Sequence, residues 1–191
     1  MKSLRIYVDF KSANAYLAIL PSIKLATATQ TNIDWRPFLT KGRTVPLEAK
    51  EGESKGERHI RVREKYRRET QAKYAAAQGI PLTFPTQSID TTLALAQLDS
   101  ITSDRTAYVQ AAFAAYWQDG ADLNDPDIVS AILTSCGHTF DHSLANTVSN
   151  ASAQQAIDDG VIDTPAYVIQ GQLFIGREHL PWVESLLRET S

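Results

Sequence analysis

Apolar and polar residues alternate from Arg5 to Phe10, and the period then changes. Ile6, Val8 and Phe10 alternate with Tyr7 and Asp9, which predicts a short strand buried in a sheet. Ala13, Ala15, Tyr16, Leu17 and Leu20 follow at helical spacing. Ser12 falls between the two, where an N-cap belongs, beside unpaired backbone N–H groups and the positive end of a helix dipole. Such a position favours an anion, and a thiolate is one. A plain capping role explains the same serine.

Further along, Pro21 lacks an N–H and should clash with the carbonyl of Leu17, so the first helix is expected to kink and continue through Lys24 and Leu25. A second strand is expected over Asn32 to Leu39, with Ile33 and Trp35 on one face and Arg36-Pro37 ending the regular pairing. Thr40 to Gly56 is polar and punctuated by glycine and proline, hence loop. A long charged helix is expected over 57–78, closed by Gly79. From Lys55 to Lys73 it carries eight Lys or Arg against three Glu. Glu57 with Arg61, Glu64 with Arg68 and Glu69 with Lys73 stand four apart, the pattern of a solvated, self-paired helix. The competing reading turns the surplus positive charge toward a cleft that draws in an anion.

Four more helices are expected at 88–98, 104–118, 126–136 and 140–158. Asp104 is placed to cap the second of them, and Asp125-Pro126 is a cap followed by a first-turn proline. Val109, Ala112, Phe113, Tyr116 and Trp117 form an apolar stripe read as core. Near the end, Thr164-Pro165 opens a strand that turns at Gln170-Gly171 into another, and an X-Pro bond just before a strand is a candidate cis bond. Leu180 to Glu189 is a last amphipathic helix, expected to turn Trp182, Val183, Leu186 and Leu187 inward.

Composition narrows the function classes. A net charge of -3 and a pI near 5.8 give no reason to expect nucleic acid. No run of roughly 18 apolar residues supports a membrane span. The chain reaches a strand by about residue 5, leaving no room for a leader, so the expected compartment is cytoplasmic. The single cysteine, Cys136, forms no internal disulfide and reads as a small filler at a helix end. His138 and His142 are four apart but lack the Glu of H-E-x-x-H and a third ligand, so no metal is expected. No G-x-S-x-G surrounds any serine, and no phosphate loop is present.

Asp9-Phe10-Lys11-Ser12-Ala13-Asn14-Ala15-Tyr16-Leu17-Ala18 is similar to D-F-x-S-P-Y-S-Y-L-A, the pattern of glutathione-using thioredoxin-fold proteins. Arg36-Pro37-Phe38-Leu39, Gly79-Ile80-Pro81, Gly160-Val161 before Thr164-Pro165, and Phe174-Ile175-Gly176-Arg177-Glu178 add to it in order. On these motifs the chain resembles the group that joins the disulfide oxidoreductase DsbA, kappa-class glutathione transferases and 2-hydroxychromene-2-carboxylate isomerases. The resemblance implies an α/β, thioredoxin-like fold with an inserted all-helical subdomain. Residues 1–39 and 159–191 would form the thioredoxin-like domain and 40–158 the insertion.

The resemblance further implies an enzyme, an isomerase or a transferase, that uses glutathione as cofactor or substrate. Ser12 matches the family's sulfur-activating serine. Thr164, before Pro165, matches the residue that pairs with the glutathione backbone, and Arg177-Glu178 the pair that holds its glutamyl end. Asn14 stands where tyrosine is usual and offers another hydrogen bond. Lys11, new beside the serine, or an arginine of the 57–78 helix is the candidate for a substrate carboxylate. The implied partner is a small-molecule electrophile, such as an aromatic carboxylate, and a homodimer is compatible with the resemblance. The departures are Ala13 and Asn14 in place of Pro-Tyr, Ser12-Ala13-Asn14-Ala15 in place of C-x-x-C, and the lack of the family's Pro-rich, Asn-containing loop within 40–60. They keep open a second reading, a binding module of the same fold without dithiol chemistry, docking an acidic protein through the basic helix.

Overall fold

A computed structural model describes residues 3–41, 45–86, 90–144 and 148–189. The chain opens with strand β1 (Ser3–Val8), helix α1 (Ala13–Thr29) and strand β2 (Asn32–Pro37). Five helices follow: α2 (Lys55–Gln78), α3 (Thr92–Ser100), α4 (Thr106–Trp117), α5 (Pro126–Ser135) and α6 (Asn150–Asp158). Strands β3 (Ala166–Ile169) and β4 (Gln172–Ile175), a short 3-10 turn and helix α7 (Leu180–Glu189) complete it. The sheet order is β2-β1-β3-β4, with β1 and β2 parallel and the other neighbours antiparallel. The five middle helices thus enter the chain between the parallel pair and the terminal hairpin.

Alternation along β1 sets the two faces of the sheet. Leu4, Ile6 and Val8 join the main core, with Tyr16 and Ile19 of α1, the Phe113 stripe of α4, Val129 and Leu133 of α5, and Val183 and Leu187 of α7. Tyr7 points the other way and packs with Ala156 of α6, Val161 and Ala166. The main core is continuous from the strands into the middle helices. Cys136 caps α5 and packs against that core as a partly buried filler.

Helix α1 runs unbroken through Pro21. The proline leaves the Leu17 carbonyl without its helical donor, and Gln78 at the end of α2 donates its Nε2 to that oxygen at 3.0 Å. The β3–β4 hairpin turns on Gln170 and Gly171, both at positive φ, as a two-residue turn of this kind requires. Gly79 closes α2 in the left-handed region.

Several expectations change. Helix α2 begins two residues earlier than expected, because Ser54 and Glu57 form a capping box. Glu57 is consequently engaged by Ser54 and Lys50, and Arg61 turns to Glu53 instead. The Glu64–Arg68 pair is present at 3.1 Å. The helix expected at 88–98 starts at Thr92, and residues 87–89 lie outside those described. Asp104 accepts from the Thr106 N–H, one residue ahead of the Arg105 cap position. The helix expected over 140–158 is short, starting after Ser149, whose side chain accepts from Ser152 N. Before it, Asp141 turns the chain by accepting from Ser143 N and Oγ, so His138 and His142 do not share a helix. Trp182 is 67% exposed, while Val183 and Leu187 are buried and Leu186 packs partly buried against the core.

Candidate active site

The β1–α1 junction builds the site from the Ser12 cap outward. Ser12 adopts extended backbone at the N-cap of α1, and its Oγ accepts from Ala15 N at 3.2 Å. The same hydroxyl donates to the Thr164 carbonyl at 3.0 Å, which joins the two ends of the chain. The Thr164-Pro165 bond is cis, and the Pro165 carbonyl accepts from Gly176 N at 2.8 Å, tying the turn to β4. Thr164 N–H donates to its neighbour's carboxylate, Asp163 Oδ1, at 2.8 Å. Its hydroxyl Oγ1 is buried and has no partner among the described residues.

Beneath this corner lies Asp9, fully buried at the end of β1. Its carboxylate accepts from Thr40 N and Oγ1, Thr91 Oγ1 and Lys11 N, and Lys11 Nζ stands 3.4 Å from it. A buried charge requires such partners. The network fixes the Lys11 stem and ties the loops at 40 and 91 to the Ser12 turn.

Ser12, Ala13, Asn14, Lys11 and Thr164 share a cleft of about 270 Å³ with Asp163, Thr40, Lys41, and Glu64, Arg67, Arg68 and Gln71 of α2. Phe84, Tyr116 and Trp117 supply aromatic surface to the same cleft. Trp117 is held by its indole N–H, which donates to the Phe10 carbonyl at 2.8 Å. Arg68 lies over the Phe84 ring, 5.1 Å from its centroid. Four cations, Lys11, Lys41, Arg67 and Arg68, face two carboxylates, Glu64 and Asp163. Burial alone would raise the Glu64 carboxyl, but hydrogen bonds from Arg67 and Arg68 hold it below the usual carboxylate range. Glu64 is therefore committed to those arginines, and the cleft stays electropositive.

Asn14 faces α2, accepting from Gln71 Nε2 at 2.9 Å. Beyond that pair a second groove of about 540 Å³ opens, sharing Asn14, Glu64, Arg67 and Gln71 with the first. Arg177 lines this second groove, its guanidinium 3.5 Å from the centre of the Tyr74 ring. The structure therefore brings Lys11, Ser12, Asn14 and Thr164 into one cleft, leaves the buried Pro165 next to Thr164 and outside the lining, and sets Arg177 in the adjoining groove. Glu178 is exposed and lines neither.

Glu64, Gln71, Phe84, Tyr116, Trp117 and Asp163 were not expected at the site. Tyr116 and Trp117 are core by the period of α4, yet both also line the cleft. Gln71 and Ala75 are the buried positions of an otherwise polar helix, which its sequence does not mark. Cys136 is not among the cleft residues.

The architecture and the cleft can be set beside known proteins. The chain is 28% identical to a 2-hydroxychromene-2-carboxylate isomerase from Sphingobium xenophagum over 97% of this chain and 98% of that protein. A solved structure of a 2-hydroxychromene-2-carboxylate isomerase superposes with a TM-score of 0.73 at 21% identity, covering 98% of this chain and 95% of that one. A probable DsbA oxidoreductase from Streptomyces coelicolor gives 0.75 at 17% identity, over 100% and 92% of the two chains. The cytosolic disulfide reductase DsbM of Pseudomonas aeruginosa, solved with GSH, gives 0.59 at 14% identity, over 98% and 96%. These structural likenesses establish the fold. The DSBA-like thioredoxin domain matches residues 3–188, and the chain belongs to that family.

Proposed function

We propose that this protein is a glutathione-dependent enzyme acting on a small electrophilic acid, closer to the 2-hydroxychromene-2-carboxylate isomerases than to the kappa-class transferases. The observation that carries the proposal is the Ser12 hydroxyl at the N-terminus of α1, one hydrogen bond from Thr164, in a cleft rich in cations and without a cysteine. The residues present fit glutathione. A thiol suits the Ser12 cap, a peptide suits the polar edge at Thr164, and the carboxylates suit Arg67 and, in the adjoining groove, Arg177.

When bound, glutathione supplies a thiolate for addition to an electrophilic carbon, released again in an isomerisation and retained in a transfer. Ser12 Oγ and the free N–H groups of the first α1 turn interact with the charged sulfur more strongly than with the neutral thiol, which lowers the thiol pKa. To donate to sulfur, the Ser12 hydroxyl turns from the Thr164 carbonyl, while Ala15 N continues to hold its oxygen. Lys11, held by Asp9, and Arg68, held over Phe84, offer fixed charge to a substrate carboxylate. Phe84, Tyr116 and Trp117 give apolar surface against which an aromatic ring packs. With Ser12-Ala13-Asn14-Ala15 at the helix start, the two-cysteine exchange cycle is not expected. Among the described residues no helix is long and apolar enough to cross a membrane, and we place the enzyme in the cytoplasm.

One observation favours a second reading, a binding module of the DsbA family. The Thr164 N–H and carbonyl, which would pair with a peptide ligand, are both engaged within the chain. Calorimetric titration with glutathione separates the two. Saturable binding that Ser12→Ala weakens, with turnover of a 2-hydroxychromene-2-carboxylate, supports the enzyme. No heat at millimolar glutathione supports the module.

A further inference from the structure

We propose that Glu64 is a positioning residue, its one carboxylate holding Arg68 for the acid group of the substrate and Arg67 for a carboxylate of glutathione; the assignment rests on the function proposed above. Glu64 stands on α2, three residues before Arg67 and four before Arg68. Its Oε1 accepts from Arg68 Nε at 3.1 Å, and its Oε2 pairs with Arg67 Nη2 at 2.7 Å. A negative charge in the wall of a cleft that attracts anions works against that attraction. Support of the helix does not account for it, because exposed pairs at this spacing contribute little. The Glu184–Arg188 pair of α7 has the same spacing and a glutamate side chain 44% exposed. Glu64, by contrast, is 10% exposed and lies on the edge of α2 that faces both the cleft and the adjoining groove.

The two arginines divide between the two cavities. Arg68 lines the cleft, whereas Arg67 lines both the cleft and the groove beyond Asn14 and Gln71. Arg68 is fixed on two sides, by Glu64 at Nε and by the Phe84 ring under its guanidinium, and Phe84 in turn meets Trp117 edge-on at 6.0 Å. Because Glu64 takes Nε, the two terminal nitrogens of Arg68, a fork that grips a carboxylate bidentately, are not used by it. A carboxylate gripped there lies beside aromatic surface, which suits an aromatic acid. Arg67 has Glu64 as its ion-pair partner among the described residues, and its own side chain is 58% exposed. Adjacent arginines repel one another and lose rotamer freedom when a ligand captures them. A carboxylate between them offsets both losses before the ligand arrives.

Calorimetric titrations with glutathione, 2-naphthoate and the neutral 2-naphthamide test this in Glu64→Gln, Arg67→Met, Arg68→Met and the two double variants that join Glu64→Gln to each arginine change. Arg68→Met should weaken naphthoate alone, and Arg67→Met glutathione alone. Glu64→Gln should weaken both about fivefold, the effect of having to immobilise one long side chain on binding, and should leave naphthamide at wild-type strength. Added to Arg68→Met it should cost naphthoate nothing further, and added to Arg67→Met it should cost glutathione nothing further, because the side chain it positions is gone. A role as bare charge has the opposite sign, so tighter binding of both anions by Glu64→Gln overturns the assignment. Equal weakening of all three ligands, or losses that add in the double variants, marks a structural role and overturns it too. A wild type that takes naphthoate but no glutathione overturns the glutathione reading and the Arg67 part of the assignment, while the Arg68 cycle decides the other part. A wild type that takes neither overturns both.

Discussion

Gln78 donates its side-chain N–H to the Leu17 carbonyl at 3.0 Å, filling the acceptor that Pro21 leaves open in the middle of α1. A proline inside a helix removes one bond and orphans one carbonyl. Here the end of α2 supplies the missing donor, which fastens that helix, and the cleft wall it carries, to α1. Gln78→Met should cost on the order of 1–2 kcal/mol, a fall in melting temperature of about 2–4 °C per kcal/mol at this chain length. In a Pro21→Ala background, where a backbone N–H returns, the same substitution should cost much less. Thermal melts of the two single variants and the double variant measure the coupling. Additive losses would show that Gln78 does not serve that carbonyl.

Lys11 owes its place to Asp9, whose carboxylate is fully buried and also held by Thr40 and Thr91. Lys11→Met should raise KM for an acidic substrate by roughly tenfold to a hundredfold, the worth of one charge-assisted hydrogen bond. Glutathione affinity should change much less. Asp9→Asn should act on stability first, by on the order of 3 kcal/mol, because it leaves the buried network short of its charge. Steady-state kinetics on Lys11→Met and denaturant unfolding of Asp9→Asn separate the two roles.

On the other face of the sheet, Asp159 accepts from Tyr7 Oη and Arg5 Nη1, both at 2.6 Å. Burial works against its ionisation, but the hydrogen bonds from Tyr7 and Arg5 outweigh it and hold the carboxyl below its ordinary value. Its contribution to stability is therefore present above the unfolded pKa of about 3.9 and disappears as the pH falls through the lower folded value. Asp159→Asn should be less stable than the wild type at neutral pH, and the gap should close below about pH 4. Melting temperatures across pH 2.5–7, a window of about that span, give the comparison.

Where a structural signal is local, the sequence carried it. Ser12 before a helical period, Asp125-Pro126 at the start of α5 and Gln170-Gly171 between two short strands each specify their own backbone, and each element stands where expected. The wall of the cleft was not legible in the same way. Helix α2 is polar on nearly every side, so no periodicity says which edge faces the protein; packing against α1 selects Glu64, Arg67, Arg68 and Gln71. The basic helix is thus solvated along most of its surface and turned to a cleft along one edge. The overlong helix at 140–158 failed for a different reason. Alanine-rich sequence continues a helical period on paper, whereas Asp141 and Ser143 form a side-chain-to-backbone turn that competes with it. Asp163 carried no signal beyond standing next to Thr164-Pro165.

The central claim is that the Ser12 hydroxyl and the α1 terminus hold a thiolate. Titrating the absorbance of bound glutathione at about 240 nm against pH, in wild type and Ser12→Ala, tests it most directly. The wild type should show a thiol pKa well below the ordinary value of about 8.5. Ser12→Ala should move it back toward that value, with turnover falling on the order of a hundredfold and affinity falling less. Identical titrations and identical rates in the two proteins would contradict the account and leave Ser12 as a helix cap alone.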